Sequence, residues 1–361
     1  MSPPTEERSG SDDTRMSGGE SGEATVPREG QGPDCRSSGS ELPAVSRLLA
    51  QSMPAFGVYR FELTALEELR LPGYPGSAFR GLLGHGLKRT VCVTRLPRCE
   101  GCLLEATCPY PLLFETPGVA VGEGRARFAN APHPFVLRAD WGGPRQLGEG
   151  EGFEVGITLF GRVNSLLPYV VHAMDVAGAR GVGRGRGKFE VEALWQEHPA
   201  PGEWAAIYTA AGGRLAQLDA RIPAVPEPLM EAHIELVTPL RLKRLGRLVG
   251  PAELDTRQFL TALVRRLESL SQYYGRPFEP PHHAWIAEVA SNIELVSREL
   301  RWADWTRYSS RQHTRMEMGG LIGRVTLRGS GLGAAWPLVF LGQWAHVGKG
   351  TSMGLGQYRL G

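Results

Sequence analysis

Apolar and polar positions alternate over residues 55–66, where Phe56, Val58, Phe61 and Leu63 mark a strand. The Pro72-Gly73-Tyr74-Pro75-Gly76 break ends it, and Ser77 stands as N-cap of a helix running to about residue 90. On that helix Phe79, Leu82, Leu83 and Leu87 share one face, while Gly81, His85 and Lys88 lie on the other with Arg89 toward the edge. A cysteine-bearing segment follows, then strand patterns over 134–139 and 153–162. Asn164 is placed to cap a helix over 165–177, and a glycine loop leads into a strand over 188–195. Strand, helix, strand, strand, helix, strand is the split βαβ order.

Residues 196–228, rich in Pro, Gly and Ala, read as a linker or crossover, after which the order begins again. A strand over 230–242 ends in basic residues, and 256–274 is an amphipathic helix with apolar residues at 259, 260, 263, 267 and 270. A second helix over 284–293 reads as an insertion; two long antiparallel strands fit 294–308 and 315–329. A helix over 333–345, a second glycine loop and a last strand over 356–360 complete the pattern. The expected fold is α+β: two tandem ferredoxin-like domains with antiparallel sheets, each with a glycine-rich loop before its last strand. The boundaries read as a disordered tail over 1–50, a first domain over 54–197, a linker over 198–228 and a second domain over 229–361.

Charge sharpens this division. The chain of 361 residues has a net charge of +2, but residues 1–45 carry nine acidic and four basic side chains, so the remainder is distinctly basic. That first stretch is rich in Ser, Gly, Glu and Pro and has too little apolar surface to offset the entropy of ordering. It lacks the basic and apolar regions of a signal peptide, and no apolar run reaches membrane-spanning length. A cytoplasmic protein with no membrane partner is expected, and its basic body suits a polyanion.

The glycine loops carry the first candidate chemistry. Gly181, Gly183, Gly185 and Gly187 alternate with Arg184, Arg186 and Lys188, so an extended loop would project three cations to one side. Gly348, Gly350, Gly354 and Gly356 surround Lys349, an arrangement suited to cradling phosphate. Each loop follows a helix, opposite to the strand-to-helix order of nucleotide-binding loops, which excludes that class. Cys92, Cys99, Cys102 and Cys108 lie within 17 residues. Their central Cys-x2-Cys has zinc-knuckle spacing, the outer spacings match no standard finger, and Cys108-Pro109 echoes iron–sulfur usage. Structural zinc, an iron–sulfur cluster and unmetallated thiols all remain open.

Arg311-Gln312, Gly319-Gly320-Leu321-Ile322-Gly323 and the run from His346 to Gly356 resemble the C-terminal signature of the CRISPR repeat-RNA-processing endoribonucleases of the RAMP superfamily. Pro75-Gly76-Ser77-Ala78-Phe79-Arg80-Gly81, the four-cysteine segment and Gly183-Arg184-Gly185-Arg186-Gly187 are similar to one branch of that family. The resemblance spans about 54–361. It implies metal-independent cleavage within the repeats of a CRISPR precursor transcript, with no catalytic cofactor. A 2′-hydroxyl attacks the adjacent phosphate, leaving a 2′,3′-cyclic phosphate and a 5′-hydroxyl.

This chemistry needs proton transfer and charge offset at phosphorus. His85 is the first candidate for acid/base work, with Lys88 to offset charge and Tyr74 to hydrogen-bond the phosphate; His346 and His313 compete for the histidine role. Arg80, Arg89, Arg184, Arg186, Lys188, Arg244, Arg311 and Lys349 are the expected RNA contacts. Trp302 and Trp305 fit core packing better than base stacking. Each histidine has a bland alternative on the surface or in packing. The rival function is a non-cleaving RNA-binding RAMP subunit of a CRISPR effector complex, and the expected partners are repeat RNA, effector-complex subunits and a second copy of the chain.

Overall fold

The computed structural model describes residues 38–116, 131–139, 142–143, 145–183, 185–198, 202–276, 283–309 and 314–361. In chain order the first half contains α1 (Ser38–Ser52), β1 (Phe56–Ala65), β2 (Leu69–Leu71), α2 (Gly76–Val91), α3 (Pro109–Phe114), β3 (Phe135–Arg138), β4 (Arg145–Leu147), β5 (Gly152–Phe160), α4 (Leu167–Gly178), β6 (Phe189–Glu197) and β7 (Trp204–Thr209). The second contains β8 (Glu231–Leu240), β9 (Lys243–Arg244), β10 (Arg247–Leu248), α5 (Thr256–Tyr274), α6 (His283–Ser291), β11 (Glu294–Ala303), β12 (Thr306–Ser309), β13 (Thr314–Glu317), β14 (Gly320–Arg328), α7 (Gly331–Ala345) and β15 (Tyr358–Leu360).

Both halves have the ferredoxin-like sheet order. The first sheet runs β3-β5-β1-β6-β7 and the second β11-β14-β8-β15, with neighbouring strands antiparallel throughout both. The fifth strand of the first sheet, β7, comes from the stretch expected to be a linker, and α1 occupies part of the expected tail, with Leu49, Ala50 and Met53 buried. Period-two patterning explains β1: Tyr59, Phe61 and Leu63 enter the core beneath α2 and α4, whereas Phe56 and Val58 face the other way.

That second face is covered by the other half of the molecule. Phe56, Val58, Val136 and Phe160 share a core with residues of α5 and α7, and the rings of Phe56 and Trp344 lie 5.8 Å apart. Each large side chain buried there contributes about 1.5–3 kcal/mol. Trp344 Nε1 also donates to Glu197 Oε2 at 3.3 Å, tying α7 to β6. Residues 217 and 218 strap the underside, because Gln196 exchanges two hydrogen bonds with the Leu218 backbone and Gln217 donates to Tyr59 Oη.

Asn164 does not cap a helix. It sits in a 3₁₀ turn, Gly161–Leu166, before α4; its Oδ1 accepts from Gly57 N–H and Tyr59 O–H, and its Nδ2 donates to the carbonyls of Leu159 and Gly161. Asn164→Ala would orphan several buried groups and is expected to cost about 2–3 kcal/mol, read by urea denaturation. Asn164→Asp, which keeps the acceptor but loses the Nδ2 donors, should also destabilise.

Candidate functional site

Helix α2 organises the site. Phe79, Leu83 and Leu87 recur at four-residue spacing and are buried. Gly86 permits the close approach of α4, since a Cβ there would lie 2.3 Å from the Ala173 carbonyl oxygen. Pro75, rather than Ser77, occupies the N-cap, with no side-chain cap bond. Ser77 Oγ instead faces the second half, where Arg307 Nη1 lies 3.4 Å away.

Groups from both halves meet over the first turns of α2. Arg80 Nε donates to Ser352 Oγ at 3.1 Å, and its Nη2 lies 2.9 Å from His133 Nε2. A guanidinium only donates, so that imidazole nitrogen is the acceptor. Burial, and then Arg80, push the His133 pKa down to about 4, which keeps this ring neutral. Arg80 also lies 5.6 Å from the centre of the Phe114 ring on α3. Arg307 comes from β12, with its Nη1 also 3.0 Å from Met353 Sδ and its Nη2 3.5 Å from Met316 Sδ. Arg80 and Arg307 are both half-buried, and among the described residues no carboxylate forms an ion pair with either. Burial, followed by the charge of Arg307, lowers the Arg80 pKa.

His85 lies farther along α2 on its exposed face. Its Nδ1 is 2.8 Å from the Gly81 carbonyl oxygen. A carbonyl cannot donate, so Nδ1 carries the proton and Nε2 is the free ring nitrogen. Arg89, one turn on, is exposed too. Lys88 turns away: Nζ donates to the Pro97 carbonyl at 3.2 Å and sits 5.1 Å from the centre of the Tyr110 ring, committed to the cysteine segment.

Tyr74 differs from the expectation of a phosphate ligand. It is buried, its ring packs 4.8 Å from that of Trp305, and its hydroxyl donates to the Met353 carbonyl at 2.5 Å. Burial raises its pKa. In this arrangement the phenol joins the two halves and is not presented to solvent. Nor is His346 a protonated helix cap. It is fully buried at φ 55°, and neither ring nitrogen has a partner of full hydrogen-bonding geometry. Burial, then Arg138 and Arg266, push its pKa down to about 3. His313, Arg184 and Arg311 lie outside the described residues.

Neither glycine loop is an open cradle. In the first, the Val182–Gly187 bridge closes a tight turn with Gly183, Gly185 and Arg186 at positive φ, so Arg186 does not take the extended backbone expected for it. Gly183 and Gly187 press on the backbone of β2 and its preceding residue; Arg186 and Lys188 remain exposed. In the second, residues 351–356 are buried and the amides of Lys349, Met353, Gly354, Leu355 and Gly356 donate to protein carbonyls. Only the side chain of Lys349 is freely exposed there. Arg244 stands on the β9–β10 hairpin beside an exposed Leu245.

The second half, residues 234–358, matches the family model described as CRISPR-associated endoribonuclease Cas6. Over these residues the chain carries a Cas6-family domain. A separate model for an N-terminal domain matches residues 53–220. An uncharacterized protein of Archaeoglobus fulgidus is 25% identical over 300 residues, covering 81% of this chain and 93% of the relative. Among solved structures, a Cas6 product complex superposes with a TM-score of 0.52 at 18% identity, over 85% of this chain and 99% of that one. Thermus thermophilus Cas6 gives 0.50 at 16% identity, covering 85% and 98% of the two chains. A partial Cas6-RT-Cas1–Cas2 complex gives 0.53 at 15% identity, over 87% of this chain and 47% of that chain. These likenesses establish the shared fold. His133, Arg307 and Ser352 join Arg80 at the seam between the halves; the basic and aromatic strand pair pointed to Arg307 and the second glycine loop contains Ser352, whereas nothing around His133 marked it, and their nearness arises only when the halves dock.

Proposed function

We propose that this protein cleaves CRISPR precursor RNA within its repeats, without a catalytic metal, using α2 and the seam between its halves. The observation that carries this reading is the convergence of Arg80 and Arg307, one from each half, with no ion-paired carboxylate among the described residues. Two half-buried guanidiniums beside Ser77 and Ser352 suit a phosphodiester oxygen. His85 is five residues along the helix from Arg80, or about 7.5 Å of axial rise. The arginine pair therefore holds the backbone next to the scissile phosphate, while His85 faces the reacting linkage.

In the reaction, His85 Nε2 takes the proton from the 2′-hydroxyl. The 2′-oxygen bonds to phosphorus as the bond to the 5′-oxygen breaks, and that oxygen receives a proton from solvent. The products are a 2′,3′-cyclic phosphate and a 5′-hydroxyl. Arg89, on the same exposed face as His85, offsets the charge gathering on phosphorus.

Incubating the protein with its repeat RNA in EDTA and mapping fragment ends tests this function. A single cut with a cyclic end is expected. Dependence on added magnesium would overturn the mechanism, and tight binding without a cut would leave an RNA-binding effector subunit. Arg307→Ala is expected to weaken RNA binding about tenfold and reduce the slope of log affinity against log salt by about 1. Filter binding at several salt concentrations checks it, and an unchanged slope would remove Arg307 from the phosphate contacts.

A further inference from the structure

The segment between α2 and α3 is ordered without an apolar core. From Cys92 to Cys108 no residue is buried, and Val93, Leu96, Leu103 and Leu104 are 75%, 45%, 98% and 38% exposed. The only residues there that are even partly withdrawn from solvent are the four cysteines and Glu105. Seventeen residues held in one shape lose much conformational entropy, and a segment too small to bury apolar surface needs a cross-link to offset it.

The cysteines occupy the places where such a link would act. Cys92 is the C-cap of α2, and Cys108 is the N-cap of α3. Between them the Cys102 amide donates to the Cys99 carbonyl at 2.9 Å, with Gly101 at φ 75°, a type II turn presenting both thiols from one knuckle. The Thr94 hydroxyl lies 3.9 Å from Cys92 Sγ and 3.5 Å from Cys102 Sγ, so the helix-end thiol and the knuckle thiol flank one small group. All four cysteines line a single small cleft. They are free thiols, and no three ligand-type side chains among the described residues are already gathered at metal distance. Closure therefore requires the thiols to rotate inward, and the exposure of the surrounding loop leaves room for this.

We propose that Cys92, Cys99, Cys102 and Cys108 bind one zinc ion as a closed tetrathiolate site that pins the end of α2 to the start of α3. Four thiolates satisfy tetrahedral zinc at about 2.3 Å and leave no open position, so the metal is structural. The pinned helices bear on the seam. Phe114 of α3 lies against Arg80, and Tyr110 lies against Lys88. The site stands independently of the ribonuclease reading, because none of its residues is given a role in cleavage.

The test uses the full chain purified without added metal or chelator. Elemental analysis should find one zinc per chain. Titration of wild-type protein with an organomercurial should release that zinc as the four thiols react, with Cys35 as the fifth thiol. Cobalt exchange should give thiolate charge-transfer bands and the d–d bands of a tetrahedral site. Cys99→Ser/Cys102→Ser should lose the metal and open residues 93–107 to protease. The mercurial titration decides the matter even if this variant does not fold. Folded protein with five reactive thiols and no metal, a disulfide among the four, or iron with visible absorption would each overturn the proposal.

Discussion

Replacing His85 by Ala is expected to lower the cleavage rate about a thousandfold, the scale of a lost general acid/base group. The melting temperature and repeat-RNA affinity should stay close to wild type. The structural side follows from placement: the ring is exposed, it touches the Gly81 carbonyl of its own helix, and its removal leaves no cavity. Alanine is also the better helix former, by a few tenths of a kcal/mol. The catalytic side follows from the tautomer, since the Gly81 contact leaves Nε2 ready to accept a proton. Single-turnover cleavage and calorimetry on the same preparation separate the two. Full activity in the variant would remove His85 from the mechanism. Buried His346 would be a poor replacement, because its ring would have to be uncovered before it met RNA. Equal losses of activity and stability would make His85 structural.

The elements were legible because half-buried strands and one-sided helices impose their periods directly on the chain. The bounds 256–274 of α5 appeared in the spacing of its apolar positions, and both ferredoxin-like orders followed from the succession of elements. Side-chain roles were less legible where they depend on distant partners. Asn164 looked like a cap because helix starts favour Asn, yet its amide oxygen accepts from β1, more than 100 residues away. Ser77 faces Arg307 across 230 residues, a juxtaposition no local pattern contains. The alternating glycines at 181–187 did carry a usable signal: successive positive-φ positions curl a chain, whereas an extended strand has none. For the second glycine loop, composition alone did not distinguish amides free for phosphate from amides already bonded within the protein.

Gly354→Ala makes that last distinction measurable. Gly354 has φ 90°, and a Cβ on it would lie 2.5 Å from both the Leu137 carbonyl oxygen and Tyr74 Oη. The first is backbone of β3, which is paired to β5 through Leu137 and Ile157, so it cannot retreat without disturbing the sheet. The second is the phenol that bonds Met353. On the other side, the Gly354 carbonyl accepts from buried Thr238 Oγ1 at 2.7 Å, which prevents the loop from simply backing away. Left-handed strain of about 1–2 kcal/mol and a clash between fixed backbones together predict a loss of about 3–5 kcal/mol in the absence of RNA. Gly333→Ala is the matched control: a Cβ there meets nothing within 4 Å in α7, and the change should be neutral or stabilising by up to about 1 kcal/mol. Urea denaturation of both variants without RNA gives the answer. A large loss for Gly354→Ala alone makes the loop a wedge joining the halves, with weaker RNA binding as a consequence of the opened seam. Unchanged stability with weakened RNA binding would restore the phosphate-cradle reading, because a glycine needed only for ligand approach does not contribute to the stability of the free protein.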